Sequence, residues 1–355
     1  MSDSGIGFGG FLLGLGVGWY LFKYIDLGVD IFSYLLILIG VGMVLNGLLS
    51  KGRRKHPISG IYGGIVGGLF LAAVLTQGFG FVFNIANEFN DFSGDYRATE
   101  SFTENTQVTG DMMALNIDSV NGGIEVVTWT GGSVKFDIEV KARGDSTADA
   151  ENNIADFDYD LNSIVSADVQ EVSLSFPISN TEWSKYSVNI DVFVPTGVSI
   201  DYDLETTNGG ISLSDLTAGT ISLDTTNGGL VLSDIEADLI NVYTTNGAIT
   251  GTITTPESTF DTTNGAIDIT ITETSGQHAF STTNGAIDIN LPTGSDVGHK
   301  VDIDTSIGAV DVNLPNMDYS VDRTRTKIGE TSGYSSKTVQ IEISADTTIG
   351  GIEVN

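Results

Sequence analysis

The chain contains no cysteine in 355 residues. That excludes a disulfide framework and any thiolate metal centre, so packing and hydrogen bonds must hold the fold. Histidine is almost as scarce: His56 falls in a basic loop, and His278 and His299 read as turn residues of a repeat. Without a base beside a hydroxyl, and without a G-x-S-x-G elbow, nucleophilic catalysis has little support. Positive charge is short as well. The first 90 residues hold five basic and four acidic side chains, leaving 10 basic against 42 acidic for the rest. This excess argues against nucleic-acid or anionic-lipid binding by the larger part. It suits a domain in salty water, where screening over roughly 10 Å removes most self-repulsion.

One phrase is abundant. TTNGGI starts at Thr206, TTNGGL at Thr225, and TTNGAI at Thr244, Thr262 and Thr282. The Asn-Gly pairs begin at Asn208, Asn227, Asn246, Asn264 and Asn284, with steps of 19, 19, 18 and 20 residues. A fixed period of this size marks stacked units that share one core. Asn121 reads as an early copy of the corner, and Ile307-Gly308, Ile328-Gly329 and Ile349-Gly350 read as late copies.

A hydroxyl stands two residues before each corner, from Ser119 through Thr206, Thr225, Thr244, Thr262, Thr282 and Thr305 to Thr326 and Thr347. Large apolar residues such as Leu204, Leu223, Phe260 and Phe280 stand four before it. Side chains alternate faces along a strand, so both columns point the same way, into a core. Glycine fits the tight bend, and the asparagine amide can bond the copies above and below. Each repeat then makes two short strands and two corners. The competing arrangement is an antiparallel meander or sandwich of the same strands.

Acids form columns with the opposite phase. Asp118, Glu205, Asp224, Asp261, Asp304 and Asp346 lie three before the corner; Glu125, Asp268, Asp288, Asp311 and Glu353 lie four after it. Bound Ca²⁺ would relieve their repulsion, with Asp261, Asp268, Asp288, Asp304 and Asp311 as candidate ligands. A solvated acidic face is the simpler reading, because the glycine-rich nonapeptide of calcium β-rolls is absent. Trp129, Trp183 and Tyr186 form either an exposed aromatic patch for a sugar or protein or, the favoured reading, a cap over an open end of the stack.

VNGGIEVVTW, FVPTGVSIDYDLETTNGGISL and the TTNGAIDI copies resemble the prokaryotic "putative adhesin" family, a domain of unknown function built of β-strand repeats. The resemblance covers Leu115 onward and implies a surface-exposed, repeat-built domain.

Three apolar stretches, 6–22, 31–49 and 58–83, precede all this. Each is long enough to cross roughly 30 Å of hydrocarbon as a helix, and none shows a polar face. No Asp, Glu, Lys or Arg lies deep in a stretch, so the usual marker of an ion pathway is missing. Gly10, Gly14 and Gly18, and Gly60, Gly64 and Gly68, are spaced for close helix packing. The basic cluster Lys51, Arg53, Arg54 and Lys55 places its loop in the cytoplasm, the amino terminus inside, and the residues after about 90 outside. With its LLILIGVGMVLNGLL stretch and basic turn, this part resembles LiaF-type envelope proteins.

The expected fold is therefore an all-β extracytoplasmic domain, a parallel β-solenoid of about 20-residue repeats, preceded by three transmembrane α-helices. Its parts are a membrane module (1–90), a linker (91–110), entry β-strands (111–205) with an exposed insertion over 143–162, and the solenoid repeats (206–355). The expected role is non-catalytic: adhesion, surface contact or envelope scaffolding at the cell membrane. Its partners would be the lipid bilayer and a surface ligand or membrane protein, with no nucleic acid and no cofactor. The alternatives are an envelope-stress regulator acting through the helices and, more weakly, a polysaccharide-acting enzyme.

Overall fold

The structure is a computed structural model describing residues 96–109, 112–166, 168–179 and 181–355. They form one unit, Tyr96–Asn355.

The chain folds as coils of two strands each, and in the coils of the repeated phrase an Asn-Gly corner joins the two. The first strands of the coils are β2 (Met112–Asp118), β6 (Val169–Ser175), β8 (Ser199–Thr206), β10 (Thr217–Thr225), β13 (Glu257–Asn264), β15 (Gly276–Asn284), β17 (Val297–Ile307) and β21 (Val339–Ile349). The second strands are β3 (Ile124–Trp129), β7 (Tyr186–Pro195), β9 (Ile211–Ser214), β12 (Ile249–Thr254), β14 (Ile267–Ile271), β16 (Ile287–Asn290), β18 (Val310–Val312) and β22 (Ile352–Val354). The long β11 (Leu230–Asn246) serves two coils, pairing with β9 and β12 through its first half and with β10 and β13 through its second. Asp234, at φ 55°, makes the bend between the halves, and Asp215 makes the equivalent bend after β9. Short polar residues tolerate this left-handed conformation better than most.

Two parallel stacks result, with the core between them. Leu204, Leu223, Val242, Phe260 and Phe280 are buried on one side, and Ile211, Leu230, Ile249, Ile267 and Ile287 on the other. The Phe260 and Phe280 rings stack at 5.3 Å.

Coil order departs from chain order at both ends. The β2–β3 coil lies between β6–β7 and β8–β9. The β21–β22 coil lies between β15–β16 and β17–β18. Antiparallel strands then close each end. β4 (Ser133–Gly144) covers β7, β1 (Tyr96–Gln107) covers β4, and β5 (Asp160–Ser166) covers β6. At the far end β20 (Thr326–Thr331) covers β17, and β19 (Met317–Asp322) covers β20.

These features correct the expected fold. Among the described residues no helix is long and apolar enough to cross a membrane. The spans expected over 6–22, 31–49 and 58–83, with Gly10, Gly14, Gly18, Gly60, Gly64 and Gly68, lie outside the described residues. The β-domain is also not uniformly parallel, because a stack of parallel strands ends in unpaired edges and antiparallel strands satisfy them here. Part of the expected linker is β1. Part of the expected insertion is β4, β5 and the nine-residue helix α1 (Thr147–Ala155), whose N-cap Ser146 accepts from the Asp149 N–H.

Ile328-Gly329 is not a corner. It lies inside β20, where Gly329 faces Val301 and Thr326 faces Asp304 in antiparallel register.

Candidate functional site

The repeated corner builds two hydrogen-bond ladders of one polarity. Each asparagine Nδ2 donates to the Oδ1 of the preceding coil: Asn208 to Asn121, Asn227 to Asn208, Asn246 to Asn227, Asn264 to Asn246 and Asn284 to Asn264, all at 2.8–2.9 Å. Asn121 ends the row by donating to the carbonyls of Trp183 and Tyr186. At the other end the row stops at Asn284, because Ile349 is its rung partner.

The inward hydroxyls make the second ladder, each donating to the corner-glycine carbonyl of the neighbouring coil. Thr206 reaches Gly122, Thr225 reaches Gly209, Thr244 reaches Gly228, Thr262 reaches Gly247 and Thr282 reaches Gly265, at 2.8–3.2 Å. Thr347 and Thr305 continue the pattern to Gly285 and Gly350. Ser119 has no corner glycine beyond it, and its buried Oγ has no partner. A hydroxyl bound in this way, with no base beside it, is a structural donor and not a nucleophile.

The two remaining histidines lie in strands, not in turns. His278 on β15 is 2% exposed and shares a 2.8 Å hydrogen bond between its Nδ1 and Ser258 Oγ. Burial lowers its pKa to about 4. His299 on β17 is buried too; its Nε2 lies 2.9 Å from the Pro292 carbonyl, and burial lowers its pKa against the opposing effect of that bond.

Outward residues carry the charge. On the first stack Asp118, Glu205 and Asp224 occupy successive rungs, Tyr243 interrupts, Asp261 follows, Ser281 interrupts, and Asp346 and Asp304 finish the column. On the second, Asp268, Asp288, Glu353 and Asp311 are consecutive. Burial, then the neighbouring carboxylates of Asp118, Asp224 and Asp203, pushes Glu205 above its ordinary pKa. Burial followed by Asp288 does the same to Asp268, and burial followed by Asp346 to Asp261.

The five candidate metal ligands are therefore divided, with Asp261 and Asp304 on one stack and Asp268, Asp288 and Asp311 on the other. Among the described residues no three acidic or imidazole groups come together to hold a metal ion. Rungs about 4.8 Å apart keep neighbouring carboxylates side by side instead of converging on one point. A depression of about 140 Å³ beside Asn116, Asp118, Asp203 and Glu205 is well below the roughly 300 Å³ at which small-molecule pockets begin.

At the near end Trp183 and Tyr186 are buried. Trp183 packs edge-on to Phe176 at 5.8 Å, and Tyr186 meets Phe157 at 5.4 Å. Trp129 stands apart on β3, near Phe193.

From Tyr186 to His299 the chain has 15 acidic residues and no Lys or Arg. This stretch supplies the middle coils, so the basic residues of 96–355 all belong to the two ends. The signal was in the sequence, as a gap in one residue type instead of a motif.

Residues 198–349 match the family model Toastrack DUF4097. The Toastrack match begins one residue before β8 and stops at the end of β21. No curated protein matches the chain. Among solved structures, a "putative cell adhesion protein" from Clostridium sporogenes is similar at 14% identity, covering 72% of this chain and 99% of that one, with a TM-score of 0.37. A "putative adhesin" from Bacteroides fragilis is similar at 12% identity, over 72% and 97%, with a TM-score of 0.35. A "putative lipid binding protein" from Parabacteroides distasonis is similar at 10% identity, over 73% and 97%, with a TM-score of 0.29.

Proposed function

We propose that the Toastrack solenoid is a non-catalytic contact domain displayed at the cell surface, where its outward acidic faces meet a surface ligand or serve as a scaffold. One observation carries this reading: the inward threonine hydroxyls and the asparagine amides of the repeat are consumed by the spine, while the middle coils turn 15 acids and no base toward their surroundings. A surface with one sign of charge steers oppositely charged partners, an effect that salt screens. Removing residues 96–355 from the chain in cells should abolish attachment to surfaces and leave growth intact. A full-length variant with Asp268, Asp288, Asp311 and Glu353 changed to Asn or Gln should attach less while folding normally. Attachment unaltered by the deletion would sink the proposal, and so would protection of the domain from protease added to intact cells.

A further inference from the structure

The β21–β22 coil is inserted between two coils that are neighbours in the chain. β15–β16 leads through Leu291 and Pro292 to β17–β18, yet these coils do not touch as rungs; β21 fills the space between β15 and β17, and β22 the space between β16 and β18. The slot has two pairing edges on each stack and takes Ile341, Ile343, Ala345, Ile352 and Val354 into the core. Its pairing is also distant in sequence. Ser281 meets Asp346 across 65 residues, whereas successive corners from Asn208 to Asn284 lie 18 to 20 apart. Loop closure grows costlier with separation, so this slot fills after the coils that stack on their immediate neighbours in the chain.

The connection that brings β21 to the slot runs over the surface. Ser332, Gly333, Ser335, Ser336 and Thr338 are exposed, and Gly333 holds a left-handed φ of 71°. Seven residues, 332–338, extended at about 3.3 Å each, reach roughly 23 Å. The β2–β3 coil is inserted in the same manner, but the strands that flank it in the chain, β1 and β4, pair with each other, and β4 pairs with β7. It cannot leave without dismantling the near end.

We propose that the slot between the β15–β16 and β17–β18 coils is a binding site for residues 339–354 of a second copy, so that two chains exchange this coil. The occupant is fixed by complementarity already present: the Thr347 and Thr305 hydroxyl bonds to Gly285 and Gly350, and the in-register strands, are the same whichever chain supplies the segment. Exchange joins two solenoids through every hydrogen bond of the native coil, with only the 332–338 connection changing course. This inference does not depend on the contact role above.

The absence of cysteine makes the test direct. Ser281 and Asp346 are rung partners with outward side chains, so S281C/D346C places two thiols in disulfide range on β15 and β21. The full-length variant is unfolded, refolded under reducing conditions at several concentrations, and then oxidised. Exchange predicts an interchain disulfide, with the dimer-to-monomer ratio rising about tenfold per tenfold rise in free chain, as mass action requires. The same variant oxidised as a dilute monomer before concentration should stay monomeric. Wild-type chain refolded in parallel and sized by native mass spectrometry should show the same dimer.

Intrachain disulfide alone at every concentration overturns the proposal, and so does a dimer whose disulfides are all intrachain, which would be paired through its outer surface. Deleting Ser335 and Ser336 shortens the connection and should raise the dimer fraction at least several-fold. An unchanged monomer would count against exchange.

Discussion

Thr225 Oγ1 donates to the carbonyl of Gly209, 2.8 Å away in the preceding coil. The adjacent Thr226 faces solvent. Two identical side chains in succession thus stand on opposite faces, one inside the spine and one outside it. Thr225→Val keeps the shape but leaves a buried carbonyl without its side-chain donor, a loss of about 1–3 kcal/mol. Thr226→Val should stay within about 0.5 kcal/mol of wild type. Urea midpoints measure both, and an equal or larger loss for Thr226→Val would show that the inward hydroxyl is not the one that matters.

Gly228 and Gly229 divide in a similar way. A Cβ on Gly228 would overlap the Gly209 carbonyl oxygen, a backbone atom held in its own rung, whereas a Cβ on Gly229 would sit 3.5 Å from the Ala248 carbonyl in ordinary contact. Close stacking, and not a left-handed backbone, imposes the first glycine. Gly228→Ala should cost at least about 3 kcal/mol, at the upper end of overpacking effects. Gly229→Ala should be nearly neutral, as the natural alanines at Ala248, Ala266 and Ala286 suggest. Thermal unfolding followed by circular dichroism separates them, and similar melting temperatures would refute the stacking argument.

The phase of the coil was legible because it is local. Two-residue alternation places Thr225 with Leu223 inside and Asp224 outside, and the structure agrees. The same parity puts His278 beside Phe280 on the inner face, so its burial could have been read from the sequence too. Coil order was not legible, because no spacing tells Asn121 to pair with Asn208 while β6 arrives later to lie on its far side. Ile328-Gly329 misled because Thr326 supplies the expected hydroxyl, yet that hydroxyl donates outward to Asp304. The need to cover an end strand outweighed the local motif there. The 143–162 segment looked like a loop because α1 is short and polar, with Ala150 its buried residue.

Salt should stabilise the solenoid without preference for a divalent ion. The carboxylates of Asp268, Asp288, Glu353 and Asp311 stand on successive rungs and repel one another. Screening acts on such exposed charges through ionic strength, whatever ion supplies it. NaCl and CaCl₂ at matched ionic strength should therefore raise the melting temperature equally. A distinctly larger rise in CaCl₂, with saturable heat on titration, would establish a calcium site that the side-by-side geometry does not provide.

Acid should weaken the fold through His278. Its rung partners are Ser258 on β13 and Ile343 on β21, and its folded pKa is about 4 against an ordinary 6.5. A depressed value means that the unfolded chain takes up the proton first as pH falls. The stability contributed by the neutral ring is complete above pH 6.5 and is lost as pH drops toward about 4, a change of about 3 kcal/mol. His299 shifts in the same direction. Glu205, Asp224, Asp261 and Asp268 act oppositely, since burial and neighbouring acids raise their pKa values and protonation in acid relieves the folded state. The comparison that isolates the histidine is His278→Gln against wild type in urea titrations at several pH values, because the carboxylate contributions cancel in the difference. Wild type should lose its advantage over the variant progressively below pH 6.5. A difference that stays constant down to pH 4 would mean that His278 takes up its proton equally in the folded and unfolded chains.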